Sequence, residues 1–189
     1  MKVSLGAQTL APAPVYIVGT YGEDGRANVM AAAWAGICCS KPPCLTVSLR
    51  KATYSYHNIL ARKAFTVNIP GEEQAEAADY FGLVSGRKTD KPADTGLTAV
   101  KSELVDAPYI EEFPLVLECS LFRVHELGLH TMFVGEIKDV KAEETILGEK
   151  QTLDLGRARP FIFSPGDRMY YRLGERLGPA FSIGEKYRT

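Results

Sequence analysis

No stretch of this chain is apolar for long enough to cross a bilayer. Its longest apolar run, Val29 to Cys39, falls well short of the roughly 20 residues a spanning helix needs. Met1 to Leu10 lacks a cationic segment leading into an apolar one, so it does not read as a signal peptide, and a cytoplasmic protein is expected. Neither sign of charge is in excess: 22 Lys and Arg face 23 Asp and Glu, for a net charge of −1. No broad basic field exists to hold nucleic acid. Cysteine is scarce. Cys38, Cys39, Cys44 and Cys119 show no CxxC spacing, and none of His57, His125 and His130 lies near them in sequence. They read as reduced, mostly buried thiols, and no metal site is expected. The glycines do not fall as GxGxxG after a strand, and neither a P-loop nor a GxSxG elbow is present.

What is there fits one domain over residues 1–189, with 46% apolar and 24% charged residues. Pro14 to Thr20 is β-branched and apolar and reads as a strand. A turn over Gly22 to Gly25 returns it as a second strand, Arg26 to Trp34. Leu45 to Leu49 and Ala64 to Ile69 read as buried strands, with a helix over Thr53 to Lys63 between them. Glu72 to Phe81 reads as a second helix and Gly82 to Gly96 as a polar loop. Leu115 to Leu127 and His130 to Glu143 form a long hairpin, followed by short strands at Phe161 to Ser164 and Met169 to Leu173. Many short strands with only two good helices favour a mainly β fold, a barrel with flanking helices.

Three segments carry chemistry. In Ser48-Leu49-Arg50-Lys51-Ala52-Thr53-Tyr54-Ser55 a strand ends, two cations follow and hydroxyls open a helix. Free N–H groups, hydroxyls and cations together suit a phosphate, although the same pattern also describes a solvated helix cap. In Asn28-Val29-Met30-Ala31-Ala32-Ala33-Trp34 the small side chains allow close approach of a flat ring, and an alanine-rich core strand is the plainer reading. Ser85-Gly86-Arg87-Lys88-Thr89-Asp90-Lys91 reads as an exposed charged loop or as a flap offering Lys91 and the Gly86 amide to anionic oxygens. His130 is a candidate acid–base group, and a lone histidine at a hairpin end is more often structural.

Taken in order, these residues resemble the flavin reductase-like FMN-binding split-barrel family, closest to its flavoredoxin branch. The likeness rests on Pro14 to Thr20, Asn28-Val29-Met30 through Trp34-Ala35-Gly36, Lys41-Pro42-Pro43, Phe65-Thr-Val-Asn68-Ile-Pro70, Ser85-Gly86 with Lys91, and His130-Thr131 leading to Gly135-Glu136. It spans roughly Leu10 to Ile183. It implies a six-stranded split β-barrel, a homodimer, and FMN at or near the subunit interface. By the same resemblance Asn28, Val29, Met30, Ala31, Ala32, Ala33 and Trp34 line the ring and ribityl chain. Ser48, Leu49, Arg50, Lys51, Thr53 and Ser55 hold the phosphate, while Ser85, Gly86 and Lys91 close the other edge; in the alternative reading of a nicotinamide-using enzyme, His130 orients the nicotinamide on the flavin.

The chain departs from many relatives at Ala31, where they carry Thr, and at Gly128-Leu129-His130, where nicotinamide-using relatives carry Gly-Asp-His. The expectation is therefore an electron carrier working between redox proteins. The alternative is an NAD(P)H-dependent flavin oxidoreductase. A flavin store, and a pyridoxamine-phosphate oxidase relative lacking its arginine-rich substrate site, are weaker readings.

Overall fold

The computed structural model describes residues 1–188. In chain order the elements are β1 (Ala13–Pro14), β2 (Tyr16–Tyr21), β3 (Ala27–Ala32), β4 (Ala35–Ser40), β5 (Pro43–Arg50), α1 (Tyr54–Arg62), β6 (Ala64–Ile69), α2 (Ala75–Leu83) and α3 (Lys91–Thr95). Then follow β7 (Ala99–Lys101), β8 (Pro108–Ile110), β9 (Leu115–Leu127), β10 (His130–Ala142), α4 (Leu155–Ala158), β11 (Phe161–Ser164) and β12 (Met169–Arg172). Short 3-10 turns punctuate the loops, and the Lys41–Pro42 peptide is cis.

Seven strands form the main antiparallel sheet in the order β3-β2-β6-β9-β10-β5-β4. The six-stranded count expected from the resemblance is therefore not what the sheet shows. The added strand is β4, whose Cys38, Cys39 and Ser40 are exposed and so carry no buried apolar signal. Two small sheets, β1-β11-β12 and β7-β8, lie outside it. β3 and β4 are the two free edges of the main sheet, yet only Ala33 and Trp34 separate them along the chain. The three steps from Ala32 to Ala35 span at most about 11 Å, so the sheet must curl to bring those two strand ends close together while the edge of β3 stays unpaired. The Ser48 N–H of β5 donates to the carbonyl of Trp34, in that connection, at 2.8 Å.

Curling puts one face of every strand inside. Val18, Leu45, Val47, Leu49, Phe65, Val67, Leu117 and Phe133 fill the interior. Phe65, Phe133 and Leu45 are each at most 1% exposed, and full burial of such a side chain is worth roughly 1.5–3 kcal/mol. Gly135 has no side chain because a Cβ there would strike the Phe65 ring. The outer face carries a second cluster, with Ile17 and Val29 packed beneath Ala78 and Phe81 of α2. The period of two is visible in β2, where Ile17 faces the outer cluster and Val18 the interior.

β6 shows why a polar residue sits in a core strand. Asn68 donates from Nδ2 to the Ile17 carbonyl at 2.9 Å and accepts from the Ile110 N–H at 2.8 Å, which ties β8 to the outer face of the barrel. The expected polar loop over Gly82 to Gly96 ends in α3 instead. Asp90 accepts from the Ala93 N–H at 3.2 Å, Pro92 lies in the first turn, and Gly96 closes the helix with φ +70°. Among the described residues no helix is long and apolar enough to cross a membrane.

Candidate functional site

The site assembles where the edge strand β3, the start of α1 and the 85–91 loop meet. Asn28 comes first because β3 leads it into the barrel wall. Its Nδ2 donates to Thr20 Oγ1 at 3.1 Å and to Ser55 Oγ at 2.9 Å. Asn58 Nδ2 donates to the same Thr20 hydroxyl at 3.1 Å. All four side chains are buried, so the start of α1 is bolted to the β2–β3 hairpin through polar contacts. Among the described residues Asn28 Oδ1 is left buried without a partner, a state that costs about 1–3 kcal/mol if nothing satisfies it.

The helix start supplies donors. Thr53 occupies the N-cap position of α1, but its hydroxyl donates backward to the Arg50 carbonyl at 2.9 Å and makes no cap bond. The first N–H groups of this nine-residue helix therefore keep no side-chain partner, and the first turn holds no acidic residue. Such an end carries partial positive charge. Arg50 is exposed at the end of β5. Lys51 is exposed too, and its ammonium pairs with Glu126 at 2.8 Å.

A cation that sequence reasoning passed over joins them. Arg87 donates to the Ala52 carbonyl at 3.2 Å and lies over the Tyr54 ring at 5.1 Å, so its charge sits at the helix start. The signal was the Arg-Lys pair inside the charged loop, but spacing alone cannot say which cation of a loop turns inward. The loop itself is held by Arg26, which donates to the Gly86 carbonyl at 3.2 Å.

Lys91 sits differently from its expected place at the open edge of a ligand. It is 3% exposed, and its ammonium donates to the Val29 and Phe81 carbonyls, both at 2.8 Å. Burial lowers its pKa from 10.5 to about 8. An ammonium has three hydrogens, so one remains after these two bonds.

The alanine segment divides between faces. Ala32 looks into the barrel and Ala31 packs on the outer cluster, with Gly82 of α2 close enough that a Cβ there would lie 3.4 Å from the Ala31 Cβ. The small residues thus make room for α2. Met30 and Ala33 are half-buried and Trp34 is 37% exposed. One edge of β3 has no strand beside it, which leaves backbone groups free along 27–32, the Val29 carbonyl excepted. Ser48 and Leu49 lie on β5, opposite Met132 and Thr131, and His130 is directly opposite Arg50. The Thr131 hydroxyl, one residue from His130, is buried and unpartnered.

A cavity of about 550 Å³ lies elsewhere. Leu45, Val67, Leu117, Val140 and Leu147 line it, and none of the expected ligand-holding residues does. Among the described residues no three His, Cys, Asp or Glu side chains are grouped to hold a metal ion.

The profile of the flavin reductase like domain matches residues 9–169. A solved structure of flavoredoxin from Desulfovibrio vulgaris (Miyazaki F) is 53% identical, covers 97% of this chain and 100% of that one, and superposes with a TM-score of 0.94. Flavoredoxin from Methanosarcina acetivorans is 31% identical over 99% of this chain and 98% of its own, with a TM-score of 0.89. An uncharacterized protein of Aeropyrum pernix is 30% identical over 168 residues; the match takes in 88% of this chain but 60% of that longer protein.

Proposed function

The chain belongs to the flavin reductase-like family, and we propose that it is a single-domain FMN protein that passes electrons between redox partners. The observation that carries this reading is the convergence of an uncapped α1 start, Arg50 and Arg87 beside the free edge of β3. The residues fit the group. Asn28 Oδ1 is an orphaned buried acceptor, and the absence of a side chain at Gly86 lets the 85–91 loop close directly onto it.

In this proposal the N–H groups of α1, the hydroxyls of Ser48, Thr53 and Ser55, and the charges of Arg50, Lys51 and Arg87 hold the phosphate. A cation near a helix start and a doubly charged phosphate reinforce each other. Asn28 through Trp34, with Leu49 at the adjoining strand, border the ring and ribityl chain through backbone groups and apolar contact. Ser85 and Gly86 close the far edge, and Lys91 stands buried behind it, holding the Val29 carbonyl of β3 from the side away from solvent. His130 stands beside the phosphate end, opposite Arg50. Bound FMN supplies the electron-accepting ring. The protein's part is to orient that ring, exclude water from one side and hold positive charge where negative charge grows. No side chain need move a proton.

The working form is proposed to be a homodimer. β9 runs past the end of its neighbour β6, which pairs only with Leu115 to Ser120. The projecting hairpin end exposes Phe122, Val124, Leu127 and Leu129, an apolar patch of the kind that a second copy covers.

Anaerobic mixing of the FMN-loaded protein with NADH, NADPH and a reduced ferredoxin-type donor tests the reading. A carrier's flavin bleaches only with the protein donor. Rapid bleaching by a nicotinamide makes the protein a flavin reductase instead, and failure to bind FMN at all removes both readings.

A further inference from the structure

Three of the four cysteines fall on one hairpin, and its strand register says which two can meet. β4 and β5 are antiparallel and turn through Lys41 and Pro42, with Ser40 opposite Pro43 and Cys39 opposite Cys44. Between Ile37, opposite Leu45, and Cys39, opposite Cys44, β4 takes two steps while β5 takes one. Cys38 is therefore the extra residue of a bulge. Residues directly opposite in an antiparallel ladder share a face, with Cβ atoms about 4.5–5.5 Å apart. A disulfide wants Cα atoms roughly 4.4–6.8 Å apart and Cβ atoms near 3.5–4.5 Å, so a small adjustment of this pair reaches bonding geometry.

The other pairings are worse. Adjacent Cα atoms are held about 3.8 Å apart by the trans peptide, which is too close for an unstrained Cys38–Cys39 bridge. Cys119 is fully buried among the barrel side chains, and burial pushes its thiol far up. Cys39 is exposed and Cys44 is 2% exposed beside it. One thiol is open to attack from solution, and the second is within reach to complete the exchange.

We propose that Cys39 and Cys44 form a thiol–disulfide exchange site that reacts with low-molecular-weight disulfides. The Cys39 thiolate attacks one sulfur of the small disulfide. A mixed disulfide forms at Cys39, and one small thiolate leaves and takes up a proton. Cys44, deprotonated, then attacks the Cys39 sulfur, and the second small thiolate leaves and is protonated. The protein loses two electrons and two protons, and the small disulfide is reduced to two thiols. Burial raises the Cys44 thiol, as do Cys38, Cys39 and the Glu136 carboxylate directly opposite on β10, with Lys138 opposing them, so the second step is the slow one and speeds up as pH rises. The bond pins the free-edge strand β4 to β5. The inference rests on the hairpin register and is independent of the flavin reading.

The test is oxidation of the full-length protein by excess oxidised glutathione, followed by acid quench, intact mass and thiol count in denaturant. Wild type should lose one pair of thiols with no adduct, as a monomeric species on non-reducing gels, and Cys38→Ser should do the same. Cys39→Ser should keep its thiols. Cys44→Ala should stop as a glutathione adduct at Cys39, and that trapped intermediate separates the proposed order from a generally reactive cysteine. Retention of all thiols by wild type would overturn the proposal, as would a bridge that vanishes in Cys38→Ser. Covalent dimers through Cys39 in place of the internal bond would overturn it too. Circular dichroism of each variant shows that the fold is intact, and Cys39→Ser, at an exposed position, keeps the test available if Cys44→Ala does not fold.

Discussion

Gly86 lies directly against the side-chain oxygen of Asn28, so closely that a Cβ at position 86 would collide with it. The contact couples the 85–91 loop to the one buried polar cluster that also anchors α1. Gly86→Ala must therefore move either the loop or Asn28. The expected outcome is an FMN dissociation constant raised about tenfold or more, roughly the loss of one good charge-assisted contact. Fluorescence titration measures it, and unchanged affinity would place the cofactor away from this loop.

Asn28→Ala is the complementary change. It leaves the buried Ser55 hydroxyl without this donor and reduces Thr20 to its contact from Asn58. Removing one partner from a buried polar cluster costs about 1–3 kcal/mol. Urea denaturation of the FMN-free protein should show that loss, because the contacts belong to the fold and do not require the ligand. A stability loss seen only with FMN present would assign Asn28 to the cofactor alone.

Arg50→Ala combined with Lys51→Ala is expected to weaken FMN binding at least about tenfold, and Arg87→Ala to act in the same direction. Raising the salt concentration should narrow the gap between wild type and these variants, since all three cations lie at the surface. A double variant that binds riboflavin and FMN with the same relative preference as wild type would show that the phosphate is held elsewhere.

The strand pattern was legible because burial is two-sided in the barrel and one-sided at its rim. Ala64 to Ile69 and the β9–β10 hairpin stand where their apolar periods placed them. β4 was not legible, because its last residues face solvent at a sheet edge and carry no apolar alternation. α3 was hidden by its shortness, although Asp90, Pro92 and Gly96 hold the cap and stop positions that mark a helix. At the site, the sequence pointed to the segments and not to the directions of their side chains. Lys91 and Arg87 share a loop, yet one turns into the protein and the other lies at the start of α1. That choice depends on where α2 and β3 leave carbonyls unpaired, which is a property of the packed sheet.

The dimer proposal is checked on the projecting hairpin. Phe122→Glu with Val124→Lys puts charges on a patch that a second copy would have to desolvate. Analytical ultracentrifugation should show a shift to monomer, with the far-ultraviolet spectrum unchanged because neither side chain belongs to the barrel core. An unaltered sedimentation coefficient would move the interface off this hairpin.

Lys91 gives the fold a pH dependence whose sign is set by burial. Its pKa in the folded chain is lowered to about 8 from 10.5. Below pH 8 both states hold the ammonium, and the folded state bears the full penalty of keeping it away from water. Between about pH 8 and 10.5 the folded chain releases the proton while the unfolded chain retains it. The unfolded state then binds more protons, so this group makes stability rise with pH across that window and level off above it. Tyr16, whose pKa burial raises above 10.0, works in the opposite sense at the upper end, so the wild-type curve alone does not isolate the lysine. Lys91→Met does. It removes the titration and leaves the Val29 and Phe81 carbonyls without their donor, which lowers stability at every pH. Urea midpoints taken from pH 7.5 to 10.5 should therefore move apart, the gap between wild type and variant widening from about pH 8 upward. A gap that stays constant across the range would mean that Lys91 keeps its proton in the folded state, with the two carbonyl bonds outweighing the desolvation.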